Sequence, residues 1–199
     1  MGEMMRLYNG PTSPFGRKVA VLYRELGLAV EEIEIDVYAA EFLDALNPLR
    51  QIPTLELPDG RALYDSSVIS FYLMELAERP DLLPQEIKFN VLTTCALADG
   101  LMETVLQRRM ESLRPEKERS AAAMNKLEVR IRRALAALAA SLDRFSGDGL
   151  RLDRIAVACA LEYTDFRFGA DWREQHPSLS AWCNAFVARP SFEATRPKS

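Results

Sequence analysis

From Met4 to Leu76 the apolar positions switch between two periods. Residues 4–8 (MMRLY) are a short apolar run that reads as a strand. Over residues 11–28, "PTSPFGRKVAVLYRELGL", Phe15, Val19, Leu22 and Leu26 recur at helical spacing. Arg17, Lys18, Arg24 and Glu25 are expected on the opposite, solvated face. Pro14 suits the first helical position, Ser13 the N-cap before it and Gly27 the stop. "VEEIEIDV" at 30–37 alternates instead: Ile33, Ile35 and Val37 face one side and Glu32, Glu34 and Asp36 the other, a half-buried strand. A short helix is expected over 39–47 (AAEFLDALN), then two brief strands in "TLELPDGRALY" turned by Pro58-Asp59-Gly60. From Ser66 the helical period returns, with Val68, Ile69, Tyr72, Leu73 and Leu76 on one broad face. The order β-α-β-α-β-β-α predicts a small mixed sheet with helices packed on it.

Residues 78–86, with two prolines, read as a linker, and strand patterning disappears after them. Two long helical tracts, 87–113 and 116–146, are broken at Arg114-Pro115, the second carrying a stripe of Leu127, Ile131, Leu135, Leu138 and Leu142. "IAVACAL" at 155–161 has no polar face and is expected to be the central buried helix of a bundle. Leu179, Trp182 and Phe186 mark a last amphipathic helix that ends at Arg189-Pro190. The expected fold is therefore an α/β domain over 1–77 followed by an all-α helical domain over 87–199.

Composition narrows the chemistry. A net charge of −4 argues against a partner held mainly through its phosphates, so nucleic acid is not expected. Charges recur too often for a membrane span. The opening residues, MGEMMRLYNG, show no basic start followed by a long apolar run, so a cytoplasmic protein is expected. Cys95, Cys159 and Cys183 are an odd number in apolar surroundings, as free thiols in a reducing compartment would be. His176 is the only histidine and sits before a proline, so no metal site is expected.

Four ordered segments carry a family resemblance: "SPFGRKV" at 13–19, "NPLRQIPTLE" at 47–56, "LYDSSVISFYL" at 63–73 and "IAVACALEYTDFR" at 155–167. Together they resemble the cytosolic glutathione S-transferases of bacterial type over nearly the whole chain. The resemblance implies a thioredoxin-like N-terminal domain, a C-terminal helical bundle contributing the electrophile site, and a homodimer. It implies a cis bond at Ile52-Pro53, which leaves the Ile52 backbone free to pair with glutathione as with an added strand. Asp65 and Ser66 fall to the γ-glutamyl end: Ser66 to its carboxylate at a helix start, Asp65 to its ammonium. The plainer alternative makes Ser66 only the cap of that helix. Where relatives carry Gly-Lys this chain has Arg50-Gln51. Gln51 can hydrogen-bond the glycine carboxylate, while Arg50 either supplies its counter-charge or points to solvent. Asp99, in an Ala-Asp-Gly break on a helix, is a candidate to reach the γ-glutamyl ammonium across the dimer from the partner subunit, or else a solvated helix charge. Where relatives place a capping box before the buried helix, this chain has Arg151 and Arg154, with Asp153 expected to cap instead.

The resemblance makes Ser13 the residue that stabilises the glutathione thiolate, by a hydroxyl donor added to the positive end of a helix. Thr12 and Tyr8 are the alternatives, and a pure helix cap is the plain reading. Without a cysteine at position 13, disulfide exchange through a protein thiol is disfavoured. The implied function is conjugation of glutathione, as co-substrate, to a small hydrophobic electrophile, with no metal or redox cofactor. A non-catalytic, partner-binding stress regulator of the same fold, or a glutathione-dependent isomerase or lyase, remain as alternatives.

Overall fold

A computed structural model describes residues 4–147 and 149–197. In it, β1 (Met5–Asn9) runs through the middle of a small mixed sheet. It pairs in parallel with β2 (Val30–Glu34) on one side and antiparallel with β3 (Thr54–Glu56) on the other. β4 (Ala62–Leu63) extends the far edge, giving the order β2-β1-β3-β4. Ile33, Ile35 and Val37 pack against Tyr8, Ala40 and Leu43, as their alternation predicts. The segment read as a short helix after β2 is a 3-10 turn over Glu41–Ala45.

The first helix, α1 (Pro14–Glu25), starts where expected, with Ser13 as N-cap and Pro14 in the first turn. Its polar face is not solvated. Arg17 is only 4% exposed and Lys18 2%. The reason is a segment that local periodicity could not place: α8 (Pro190–Ala194) returns and covers that side. The Arg17 guanidinium donates to the Phe192 carbonyl at 3.1 Å and the Thr195 hydroxyl at 3.3 Å, and lies over the Phe192 ring. Arg189 and Ser191 both donate to Glu25. Burial raises the Glu25 carboxyl, but those hydrogen bonds and the charges of Arg189 and Arg79 outweigh it and hold it below its usual range. The chain thus forms two units, one of residues 1–82 with 189–199 and one of residues 83–188. The C-terminal tail, expected with the helical domain, belongs to the α/β unit.

α2 (Ser66–Leu76) buries Ile69, Leu73 and Met74, while Val68, Phe71 and Leu76 point outward, so its apolar residues divide between two faces.

The helical unit is built from α3 (Lys88–Leu113), α4 (Ala121–Ala140), α5 (Leu152–Arg167), α6 (Trp172–Gln175) and α7 (Pro177–Phe186). α5 is its centre: every residue from Ile155 to Leu161 is fully buried, and it packs on α3 and α7. α3 runs through Asp99 and Gly100 unbroken, so the expected interruption there does not occur. The three cysteines are free and buried, and burial pushes the Cys183 thiol up to about 12. Asp153 does not cap α5. The N-cap is Arg151, with no side-chain cap bond, and Asp153 lies inside the first turn, 1% exposed, paired to Arg151. Among the described residues no helix is long and apolar enough to cross a membrane.

Candidate functional site

One end of the sheet gathers Ser13, Ile52, Pro53, Asp65 and Ser66. β1 ends at Asn9 and passes through a turn, closed by the Ser13 N–H on the Gly10 carbonyl at 3.1 Å, into the start of α1. β3 runs antiparallel to β1 with Tyr8 opposite Thr54, so Ile52 and Pro53 precede β3 at the same end. β4 pairs Leu63 with Leu55 and returns the chain there, delivering Asp65 and Ser66 to the start of α2. The Ile52 side chain packs so close to Gly10 that a Cβ at position 10 would meet its Cδ1 at 2.8 Å. Two helix starts and one exposed backbone segment therefore share this end of the sheet.

The Ile52–Pro53 peptide is cis, as the resemblance implies, and Tyr64–Asp65 is cis as well. The loop before Pro53 is held by Asn47, which is 1% exposed. Its amide donates to the Gln51 carbonyl at 3.0 Å and the Thr54 hydroxyl at 3.1 Å, and its carbonyl accepts the Leu49 N–H. The Ile52 N–H and C=O enter no hydrogen bond among the described residues. Gln51 is exposed. Arg50 stands at the surface, its side chain 38% exposed. Its guanidinium is held in a two-pronged pair by Asp44, with a backbone in the left-handed region at φ 46°.

Ser13 accepts the Gly16 N–H on Oγ at 3.1 Å. That bond uses an oxygen lone pair, and the hydroxyl proton has no acceptor among the described residues. Capping the helix and donating to an anion at its positive end are therefore compatible roles. Thr12 is half-buried in the preceding turn and makes no side-chain hydrogen bond among the described residues. Tyr8 differs: its hydroxyl donates to Glu56 at 2.8 Å. Burial, together with the Glu56 hydrogen bond and charge, pushes its phenol up. The Tyr8 proton is thus already engaged on the sheet.

Asp65, not Ser66, caps α2, its Oδ1 accepting the Ser67 N–H at 2.7 Å. Ser66 occupies the first helical position, 2% exposed, and its Oγ has no hydrogen-bond partner among the described residues. A buried hydroxyl left unpaired costs about 1–3 kcal/mol, a deficit that a ligand acceptor would offset. Asp99 lies half-buried in the middle of α3, in the other unit. Among the described residues no group of three or more His, Cys, Asp or Glu side chains is placed to hold a metal ion.

Sequence reading missed the residue that sets the start of α1. Asn9 donates to Glu32 at 2.9 Å and accepts the Gly10 N–H at 2.8 Å. A Cβ on Gly16 would lie 1.6 Å from Asn9 Oδ1. Tyr23 and Arg24 also donate to Glu32, so the Asn9 amide is tied into a network and cannot easily swing away. Gly16→Ala should therefore push the first turn of α1 off Asn9 and cost about 1–3 kcal/mol, as overpacking does. Thermal unfolding of the variant measures it. The only sequence signal was a glycine inside a helical pattern. Ser13 also borders a cleft of about 310 Å3 with charged walls of Arg17, Arg24, Glu32 and Glu34. Ile52, Pro53, Asp65 and Ser66 do not line it.

The profile of the glutathione S-transferase N-terminal domain matches residues 7–81 and that of the C-terminal domain residues 121–185. The uncharacterized GST-like protein YibF of Escherichia coli K12 is 32% identical over 97% of this chain and 98% of its own. A glutathione S-transferase from Methylobacillus flagellatus, solved with glutathione bound, is 34% identical with a TM-score of 0.92, covering 98% of this chain and 100% of that one. A glutathione transferase family member from Pseudomonas fluorescens Pf-5, solved with bound S-(propanoic acid)-glutathione, is 36% identical with a TM-score of 0.87, covering 98% of both chains.

Proposed function

The chain belongs to the glutathione S-transferase family, and from that premise we propose that it binds glutathione at this end of the sheet and transfers its thiolate to a small hydrophobic electrophile. The cysteinyl backbone pairs with the unengaged N–H and C=O of Ile52, beside Pro53. The γ-glutamyl carboxylate takes the Ser66 hydroxyl and the N–H groups at the start of α2, and the free carboxylate oxygen of Asp65 takes the ammonium. Gln51 serves the glycine end. Arg50, paired at the surface with Asp44, would have to leave that pair to supply a counter-charge there, a modest cost for an exposed ion pair. The sulfur lies at the start of α1, where Ser13 donates to it.

The observation that carries the reading is the Ser13 hydroxyl, fixed by the helix it caps and with its proton unclaimed. Bound glutathione in one relative and a thioether of glutathione in another support it. The thioether is the kind of product that conjugation gives, which favours transfer over isomerase or lyase chemistry and over a non-catalytic binding role. A homodimer in the cytoplasm is part of the proposal. The exposed stripe of Tyr64, Val68 and Phe71 beside and along α2 is the apolar face a second copy would cover, and Asp99 is the candidate to reach the partner's γ-glutamyl group.

Titrating glutathione into the protein by calorimetry and assaying conjugation to 1-chloro-2,4-dinitrobenzene tests the reading. Ser66→Ala should weaken glutathione by roughly 10- to 100-fold, the equivalent of the ~1.5–3 kcal/mol of a hydrogen bond to a charged group. Its folding stability should hold or rise, because an unpaired buried hydroxyl is removed. Unchanged affinity would move the γ-glutamyl carboxylate elsewhere.

A further inference from the structure

Two half-buried arginines of the helical unit stand apart from the others. Its half-buried arginines mostly have carboxylates: Arg108 pairs with Glu128 at 2.9 Å, Arg151 with Asp153 at 2.7 Å and Arg173 with Asp165 at 2.5 Å. Arg109 and Arg167 are half-buried too, yet neither forms an ion pair among the described residues. Arg167 Nε is shut off from solvent with no hydrogen-bond acceptor among the described residues. The plane of its guanidinium is supported by Phe166, 4.0 Å from the ring centroid.

These groups lie on two helices packed against each other. Tyr163 and Arg167 are four residues apart on α5 and so share a face, and α5 packs on α3, which carries Arg109. Tyr163 is 3% exposed. Burial raises its phenol, while the charge of Arg167, a side-chain hydrogen bond with Arg167 and the charge of Arg109 act against that rise and Glu103 adds to it. Glu103 is exposed and occupied by Gln107. Two half-desolvated cations without an anion are unfavourable as they stand. A planar guanidinium stacked on an aromatic ring is preorganised for two-pronged recognition of a carboxylate.

We propose that Arg109, Arg167 and the Tyr163 hydroxyl form a binding site for a small organic carboxylate with an apolar body, the ring of Phe166 fixing the Arg167 fork. The binding stands apart from the function proposed above and is tested without glutathione.

The probe is 2-naphthoate, titrated by its fluorescence against the full chain, with neutral 2-naphthamide as its isostere. Saturable binding of the naphthoate is expected, with the amide at least about tenfold weaker, since it lacks the charge that both guanidinium groups recognise. Arg167→Gln and Arg109→Gln should each weaken the naphthoate by about tenfold, and rising salt should weaken it further. Arg130→Gln, at an exposed arginine of α4, should leave it unchanged, and glutathione affinity should be the same in all three variants. Equal affinity for acid and amide on the unaltered protein, no saturable binding, or full retention in both Gln variants would overturn the site. Loss of glutathione binding in the unaltered protein would instead strike at the function proposed above and leave this site standing.

Discussion

Replacing Ser13 with alanine is expected to leave glutathione bound and to cut conjugation roughly 10- to 100-fold at neutral pH, matching the ~1.5–3 kcal/mol of a hydrogen bond to a charged acceptor. A free thiol titrates near 8.5, so at neutral pH most of it is protonated and unreactive (about 8.5 being the unperturbed value). The start of α1 and the Ser13 proton both favour the anion. Removing the proton donor raises the bound thiol's pKa and leaves less thiolate at pH 7. The loss should therefore shrink as the pH rises, a signature that a merely misfolded variant does not give. The cap bond from Gly16 also disappears, at about 0.5–2 kcal/mol of stability for alanine and only a few tenths for glycine. Comparing the two variants separates the effects: both should lose activity alike, while only alanine lowers the melting temperature clearly. Thr12→Ala and Tyr8→Phe should keep their turnover. If either abolishes it while Ser13→Ala does not, thiolate stabilisation belongs to that residue.

The parts of the fold that sequence made legible are those whose cause is local. Ser13-Pro14 announced the start of α1, Pro58-Asp59-Gly60 the turn between β3 and β4, and the unbroken apolar run at Ile155–Leu161 the core of the helical unit. What stayed hidden depends on partners distant in sequence. Arg17 read as a solvated residue because nothing near it reveals that Phe192 and Thr195 return to cover it. Arg50 was a candidate for the ligand because its pairing with Asp44 depends on the left-handed backbone of the loop. Ser66 was read correctly as standing at a helix start, but whether it or Asp65 does the capping turns on one residue of register. Asn9 fell just past the strand read over residues 4–8 and was not singled out, and only its contact with Gly16 shows it setting the entry into α1.

The start of α5 was expected to be slightly weakened by two arginines at capping positions, and the structure gives it a different and more demanding support. Arg151 grips Asp153 through Nε at 2.7 Å and Nη2 at 2.9 Å, and reaches the Arg144 carbonyl at 2.6 Å. Arg154 donates to the carbonyls of Phe145 and Gly149 at 2.9 and 2.6 Å. The loop before the buried helix is thus tied down by guanidinium groups holding carbonyls, with Asp153 as the anion near the positive helix end. Asp153 is 1% exposed and its partner's side chain 12%, so removing one charge leaves the other stranded. Asp153→Ala should cost about 3–5 kcal/mol, the usual loss when a buried pair is broken on one side. That is comparable to the lower end of the ~5–15 kcal/mol by which a whole domain is stable. The double variant Arg151→Met, Asp153→Leu removes both charges and should be markedly more stable than Asp153→Ala in urea denaturation. If the single variant unfolds at the same urea concentration as the unaltered chain, the pair does not anchor α5 and its stability comes from apolar burial alone.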